Sequence, residues 1–192
     1  LQVGLAGVWR AWGVPMAGVV GHSVGEVAAA HVAGRLSLPD AWRVIVVRSG
    51  VMAAVSAGRA GGMAAVRGLD EAGVRRLLPR DGSVSLAAVN GPQDAVVSGD
   101  VAAVDRVVDA VKRAGKMAVR LKVTGAFHSS HLRGAGAAID AALAGLQPSA
   151  GHAGVVVGAA AYGGVADGTR GVAFAGAQYW GCLLYTSDAA DE

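Results

Sequence analysis

"AGVVGHSVGEVAAAHVAG", residues 17–34, decides how this chain is read. A short, β-branched apolar run, 17–22, passes directly into strong helix formers, 23–34, that close on Gly34. The first has the make-up of a buried strand, the second that of a helix with a glycine stop. Ser23 stands at the join, with His22 before it, Gly21 two residues back and Gly25 two ahead. Strand, G-x-S-x-G, helix is the order of a nucleophile elbow, where a strained turn lifts a serine to the start of a helix. Small residues at 21 and 25 would let strand and helix approach closely. The helix N-terminus would offer N–H groups and its dipole to a developing oxyanion. The plainer alternative is that Ser23 is only an N-cap.

The 192 residues suit one domain of ordinary size with room for a smaller subdomain. Hydrophobic residues make up 53%, with Ala, Gly and Val dominant, which suits a tightly packed α/β protein and argues against disorder. The net charge is +3, and the 17 Lys and Arg are scattered among 14 acids. No basic stripe interleaves with aromatics, so a nucleic-acid partner is not expected. No apolar run is expected to span a membrane, which takes about 20 residues, and no signal peptide is evident. The lone Cys182 leaves no internal disulfide framework and no multi-cysteine metal site, as a cytoplasmic location would have it. The chain opens without Met inside an apolar helical pattern (Leu1, Leu5, Val8, Trp9, Trp12) and reads as starting mid-domain. "CLLYTSDAADE", 182–192, departs from the background composition. It reads as translated adapter read-through and is left out of the fold expectation.

Outward from the elbow, residues 1–12 read as an amphipathic helix and "GVPMAG" as the turn leaving it. "SLPDAWRVIVVRSGVMAAVSAG", 37–58, opens on Ser37, Pro39 and Asp40, a helix-start signature, and its nearly all-round apolar surface predicts burial. Strands follow at "GGMAAV", "SVSLAAVN", "AVVSGD" and "KMAVRLKV", with helices at "LDEAGVRRLLP" and "VAAVDRVVDAVKRAG". In the last strand Met117, Val119, Leu121 and Val123 alternate onto one face, expected to be apolar. The order β-α-β-β-α-β is that of a ferredoxin-like unit, expected over 61–124. It would be inserted between 1–60 and 125–181 of a larger α/β framework. Asn90-Gly91-Pro92 reads as a tight hairpin turn. Beyond lie the loop "TGAFHSSH", 124–131, a helix near 132–146 and a Gly-rich strand pair around 153–170.

A nucleophilic serine needs a base. His22 is adjacent and should point away, and His31 lies two turns along the helix. His128 and His131, in the loop after the last strand of the inserted unit, both remain open; His152 is a further histidine. Asp100, Asp105 and Asp109, which could complete a Ser-acid-His order, read as solvated surface. Arg48 has apolar neighbours at Val44 and Val51 and no acid at helical spacing. An ionised guanidinium there either reaches water or a distant carboxylate, or receives an anionic substrate group bidentately.

The blocks "GHSVGEVAAAHVAGRLSLPDAWRVIVVRS", "GGMAAV", "AAVNGPQDAVVSG", "GAFHS" and the late "YW" fall in the order seen in malonyl-CoA:acyl-carrier-protein transacylases. Over 1–181 the chain resembles the acyltransferase domains of bacterial modular type I polyketide synthases. The resemblance implies an α/β fold: an α/β-hydrolase-like large subdomain with an inserted ferredoxin-like small subdomain. It implies Ser23 as the residue that carries the acyl group, His128 as base and then acid, and Arg48 as receptor for the free carboxylate of a malonyl-type unit. The Val24 backbone N–H would supply part of the oxyanion hole. It implies ping-pong transfer from malonyl-CoA to the phosphopantetheine thiol of an acyl carrier protein, with neighbouring synthase domains in the same polypeptide, no bound cofactor and no metal. "AFH" around Phe127 implies malonyl over methylmalonyl, as does Val24 after the nucleophile. Gly125 departs from the malonyl pattern, which has a histidine there, and "SSH" stands where "SPL" is usual. The family's N-terminal Gly-Gln-Gly block and its Asn-Leu-Arg continuation after "YW" are not in this chain, so weak or no activity is expected of the chain alone. A serine esterase or thioesterase with the same elbow and an inactive carrier-docking domain are the competing expectations.

Overall fold

In the computed structural model the described residues are 1–159, 164–165 and 175–183. The chain divides into two compact units, Leu1–Ser49 with Gly136–Leu183, and Gly50–Ala135.

The first unit begins with α1 (Gln2–Ala11), then β1 (Gly18–Val20), α2 (Gly25–Val32) and the first part of α3 (Leu38–Gly58). It resumes at α6 (Ala135–Ala142), β6 (Val156–Ala159), β7 (Gly164–Val165) and α7 (Ala177–Cys182). β1 runs parallel to β6, pairing Gly18 with Val156 and Val20 with Gly158, and β7 adds antiparallel to β6. α2 follows β1 as the sequence requires and is stopped just before Gly34, whose φ of 75° is the left-handed conformation that terminates a helix. Val27, Ala30, Val44, Ile139 and Leu143 are fully buried here.

Two burial expectations fail in this unit. β1 is not buried: Val20 is 81% exposed, because the strand is paired on one edge only among the described residues. α3 buries only Ala41, Val44 and Arg48, the i, i+3, i+7 stripe of one face, and leaves Trp42 and Val46 exposed. α3, which carries Asp40, Arg43 and Arg48, is the described helix that bears on the membrane expectation. Its 21 residues are long and apolar enough, by length and composition, to cross a membrane. The expected read-through begins inside α7, since Cys182 is its last residue and Leu183 is buried; residues 184–192 lie outside the described residues. Of the expected strand pair around 153–170, β6 and β7 are present, and 160–163 and 166–170 lie outside them as well.

The second unit holds β2 (Gly61–Arg67), α4 (Glu71–Leu77), β3 (Val84–Gly91), β4 (Asp94–Asp100), α5 (Val101–Arg113) and β5 (Met117–Arg120). The four strands form one antiparallel sheet in the order β3-β4-β2-β5, the ferredoxin-like arrangement. Val66, Val74, Val97, Val104 and Val111 are fully buried between sheet and helices, each contributing about 1.5–3 kcal/mol. Asp70 caps α4 by accepting from the Gly73 N–H at 2.8 Å. The period of β5 is right and its face is wrong. Met117 and Val119 are more than half exposed, while Ala118, paired with Val66, is buried. The side chains of 117 and 119 share the outer face, and Ala118 between them joins the helix-covered core. The loop 124–134, with its 3-10 turn Ser130–Leu132, belongs to this unit too.

Candidate functional site

Ser23 sits between β1 and α2 with φ at 52°, the left-handed region that non-glycine residues rarely occupy. Holding it there costs about 1–3 kcal/mol, which the surrounding turn must offset. Gly21 shows how tight that turn is. A Cβ on it would collide with the Glu26 nitrogen and the Gly25 carbonyl carbon. Gly25 is different: its nearest neighbour to an added Cβ is Gln2 Nε2 at 3.6 Å, ordinary contact. The two glycines of the motif therefore have unequal roles, and only Gly21 is demanded by the close approach. Gly21→Ala should lower the unfolding free energy by about 3 kcal/mol or more, while Gly25→Ala should stay within about 1 kcal/mol. Thermal melts of the two variants check this.

The turn closes with Gly25 N–H donating to His22 O at 2.9 Å, Glu26 N–H to Ser23 O at 3.1 Å and Val27 N–H to Val24 O at 3.2 Å. Val24 takes the N-cap position with helical φ and ψ. No backbone carbonyl among the described residues accepts its N–H. Its place directly after Ser23 at a helix start is where an oxyanion donor is useful.

Arg48 reaches this turn from α3. Its Nη2 donates to Ser23 Oγ at 2.8 Å, although the side chain is only 5% exposed. Its Nε is buried with no hydrogen-bond partner. Desolvation lowers its pKa from the ordinary guanidinium range, and the charge of Glu26 pulls it back up. Glu26 is the distant carboxylate that the sequence left open. It stands on α2, fully buried, and its Oε2 accepts a hydrogen bond from the Tyr179 hydroxyl. Tyr179 is held in turn by Trp180, which packs edge-on at 5.0 Å and donates through Nε1 to Ala175 O at 3.0 Å. Glu26 and Tyr179 were not singled out as site residues. The signal available was one acid inside an Ala- and Val-rich helix, and the "YW" pair.

Gly125, Phe127 and His128 lie in the second unit. His128 is half-buried with φ at 54°, a second non-glycine residue in the left-handed region. Gly125 is buried, and an added Cβ would collide with Ser56 Oγ and lie 2.7 Å from Phe127 Cε1. The Phe127 ring thus fills the space beside residue 125 that a side chain there would need. His131 is buried, with Nε2 2.8 Å from Asp100 Oδ1. Asp100 also takes Arg59 at 2.7 Å, so it is engaged on two sides and is no mere solvated acid. Asp105, 55% exposed and 3.3 Å from Arg120, fits the surface reading. Ser23, Val24 and Arg48 are brought together in the first unit, and Gly125, Phe127 and His128 in the second.

The acyl transferase domain family matches residues 1–156. The NorA' protein of the spectinabilin polyketide synthase system of Streptomyces orinoci is 46% identical over 152 residues, 79% of this chain and 4% of that protein. Erythronolide synthase EryA2 of Saccharopolyspora erythraea is 55% identical over 101 residues, 52% of this chain and 3% of that protein. Among solved structures, the acyltransferase domain from module 8 of the salinomycin polyketide synthase is similar with a TM-score of 0.86 and 38% identity, covering 96% of this chain and 42% of that one. FabD from Acinetobacter baumannii gives 0.84 and 26%, covering 96% and 59%. The chain is thus a small part of the length of these synthases and about half that of the solved domains. Its α/β class is that of those domains. The match over most of its residues, together with these relatives, establishes that the chain belongs to the acyl transferase domain family, in the branch of polyketide synthase acyltransferases.

Proposed function

We propose that this chain supplies the nucleophile, the carboxylate receptor and the base of an acyltransferase that loads a malonyl-type unit onto an acyl carrier protein. The observation that carries the reading is Arg48: a buried guanidinium that donates to Ser23 Oγ and keeps Nε without a partner. Glu26 answers its charge, but a buried arginine whose Nε has no acceptor is costly until a further acceptor completes it. The free carboxylate of a malonyl group would do so, placing the thioester carbon near Ser23.

The steps follow from the chemistry. His128 takes the Oγ proton as Ser23 attacks the thioester carbonyl, and the Val24 N–H stabilises the oxyanion. The tetrahedral intermediate collapses, the C–S bond breaks, and CoA leaves as a thiol with the proton from His128. The acyl-Ser23 ester then meets the phosphopantetheine thiol of the carrier protein. Its proton passes to His128, the new C–S bond forms, and Ser23 regains its proton. The cycle needs no metal or redox cofactor. Its setting would be a cytoplasmic synthase with further domains in the same polypeptide. In this reading α3 serves the site through Arg48 in its middle rather than a membrane.

A hydrolase using the same elbow would need an acid to orient its histidine. Asp100, the buried-side candidate, is engaged with His131 and Arg59, which favours the transferase. Hydrolysis of malonyl-CoA at the same rate with and without carrier thiol would decide for the hydrolase.

For the extender unit, the "AFH" pattern around Phe127 favours malonyl over methylmalonyl, the bulky ring taking the space an α-methyl group would need. One methyl in an apolar pocket is worth about 1–3 kcal/mol. Phe127→Ala should therefore raise methylmalonyl relative to malonyl loading about 10-fold or more. Competition between the two thioesters, read by intact mass, checks it; an unchanged ratio removes Phe127 from selection.

A further inference from the structure

We propose that His131 is a positioning residue for the transfer reaction: with Asp100 and Arg59 it fixes the backbone turn that presents His128, without itself meeting substrate. The inference rests on the reading of His128 as the base.

The turn at His128 needs an explanation, since a non-glycine residue with φ at 54° persists only when its surroundings over-determine it. On the N-terminal side the fastening is close packing against β2. Gly61 has no side chain where the Ala126 backbone packs, and a Cβ there would collide with the Ala126 nitrogen. Ser129 Oγ donates to Ala126 O at 2.7 Å and accepts the His131 N–H at 3.2 Å. On the C-terminal side Ser130 Oγ donates to Gly82 O at 3.0 Å, and its N–H meets Ser85 Oγ at 3.3 Å.

The strongest fastening comes next. The His131 side chain is 2% exposed, and its Nε2 lies 2.8 Å from Asp100 Oδ1. A carboxylate oxygen accepts only, so Nε2 carries the proton in this bond. Asp100 is itself immobilised. Arg59 donates to Oδ1 through Nε at 3.1 Å and Nη2 at 2.7 Å, and to Oδ2 at 2.9 Å, while the Asp100 N–H donates to Ser83 O at 2.9 Å. Asp100 also ends β4 and stands directly before α5, so the anchor belongs to regular structure rather than to another loop. A charge-assisted bond from a rigid strand end therefore grips the chain three residues past His128. All of these groups lie in one unit. Because His131 is committed and buried, it is unsuited to serve as the base itself, yet a slack turn would misplace the imidazole of His128.

The test uses the full-length chain that carries this sequence, with kcat and KM for malonyl transfer to carrier protein determined separately beside thermal melts. His131→Ala should lower kcat about 10- to 100-fold with KM changed less than about twofold, as a misplaced catalytic group does. His131→Gln, whose side-chain N–H can still reach Asp100, should recover most of the loss, and Asp100→Ala, which removes the acceptor, should resemble His131→Ala. Wild-type kcat in His131→Ala, or a loss that His131→Gln does not restore and that follows a fall in melting temperature, overturns the proposal. If His131→Ala does not fold, Asp100→Ala against His131→Gln carries the same comparison. His128→Ala separates the two readings: if it still transfers, the base assignment fails and positioning with it. If it is inactive while His131→Ala is normal, only positioning fails.

Discussion

Ser23→Ala in the complete acyltransferase should abolish the acyl-enzyme. Incubated with malonyl-CoA, the wild-type protein should gain a malonyl-sized mass that the variant never shows, and carrier loading should fall by about 10⁴-fold or more. The size follows from covalent catalysis. Without the Oγ no ester can form, and what remains is rate enhancement from binding and oxyanion donors alone. The fold should survive the change, because Ala removes one hydroxyl and its contact with Arg48 Nη2 at 2.8 Å. The left-handed φ of 52° is no harder for Ala than for Ser. A Ser23→Ala protein that still takes up malonyl by intact mass would move the nucleophile elsewhere.

The second large effect concerns Arg48. Arg48→Ala should reduce kcat/KM for malonyl-CoA about 10²- to 10³-fold, the loss expected when one partner of a buried charge pair is removed. Acetyl-CoA, which has the thioester but no free carboxylate, should fall far less. The ratio between the two substrates isolates recognition of the carboxylate from the contact that Arg48 makes with Ser23. Arg48→Lys should recover only part of the ratio, because an ammonium is a point charge without the planar fork that grips a carboxylate at two oxygens. The variant also leaves Glu26 fully buried with the Tyr179 hydroxyl but without the guanidinium charge, so a lower melting temperature should accompany it. An equal fall for malonyl and acetyl substrates would make Arg48 a support for Ser23 alone. Acyl-enzyme formation rates with both thioesters give the answer.

Several features were legible in the chain alone because they rest on local rules. The elbow is one: a β-branched run, a glycine where strand meets helix and a serine at the join dictate the turn at 21–25 whatever surrounds it. The ferredoxin-like unit is another, since its strands and helices each carry their own period, and the strand order follows from four elements that must share one antiparallel sheet. Which face of an element is covered was another matter. Met117 and Val119 alternate as an inner face would, yet they point outward, and it is Ala118 between them that joins the core. β1 and α3 read as buried by composition, but burial depends on what lies alongside, and Val20 and Trp42 are largely exposed.

The same division holds at the site. Ser23, His128 and Arg48 stood out as residue types in telling places, and the resemblance of their blocks gave each a role. The partner of Arg48 could not be read, because the charge that answers it comes from Glu26 on another helix, itself held by Tyr179 near the end of the described chain. In the sequence His131 is an open alternative to His128 as base and Asp100 a surface acid, and only the fold brings them to 2.8 Å. Local sequence determined the turns, periods and chemical types of this protein. Tertiary structure alone decided which buried charges meet, because that depends on through-space distance between segments far apart in the chain.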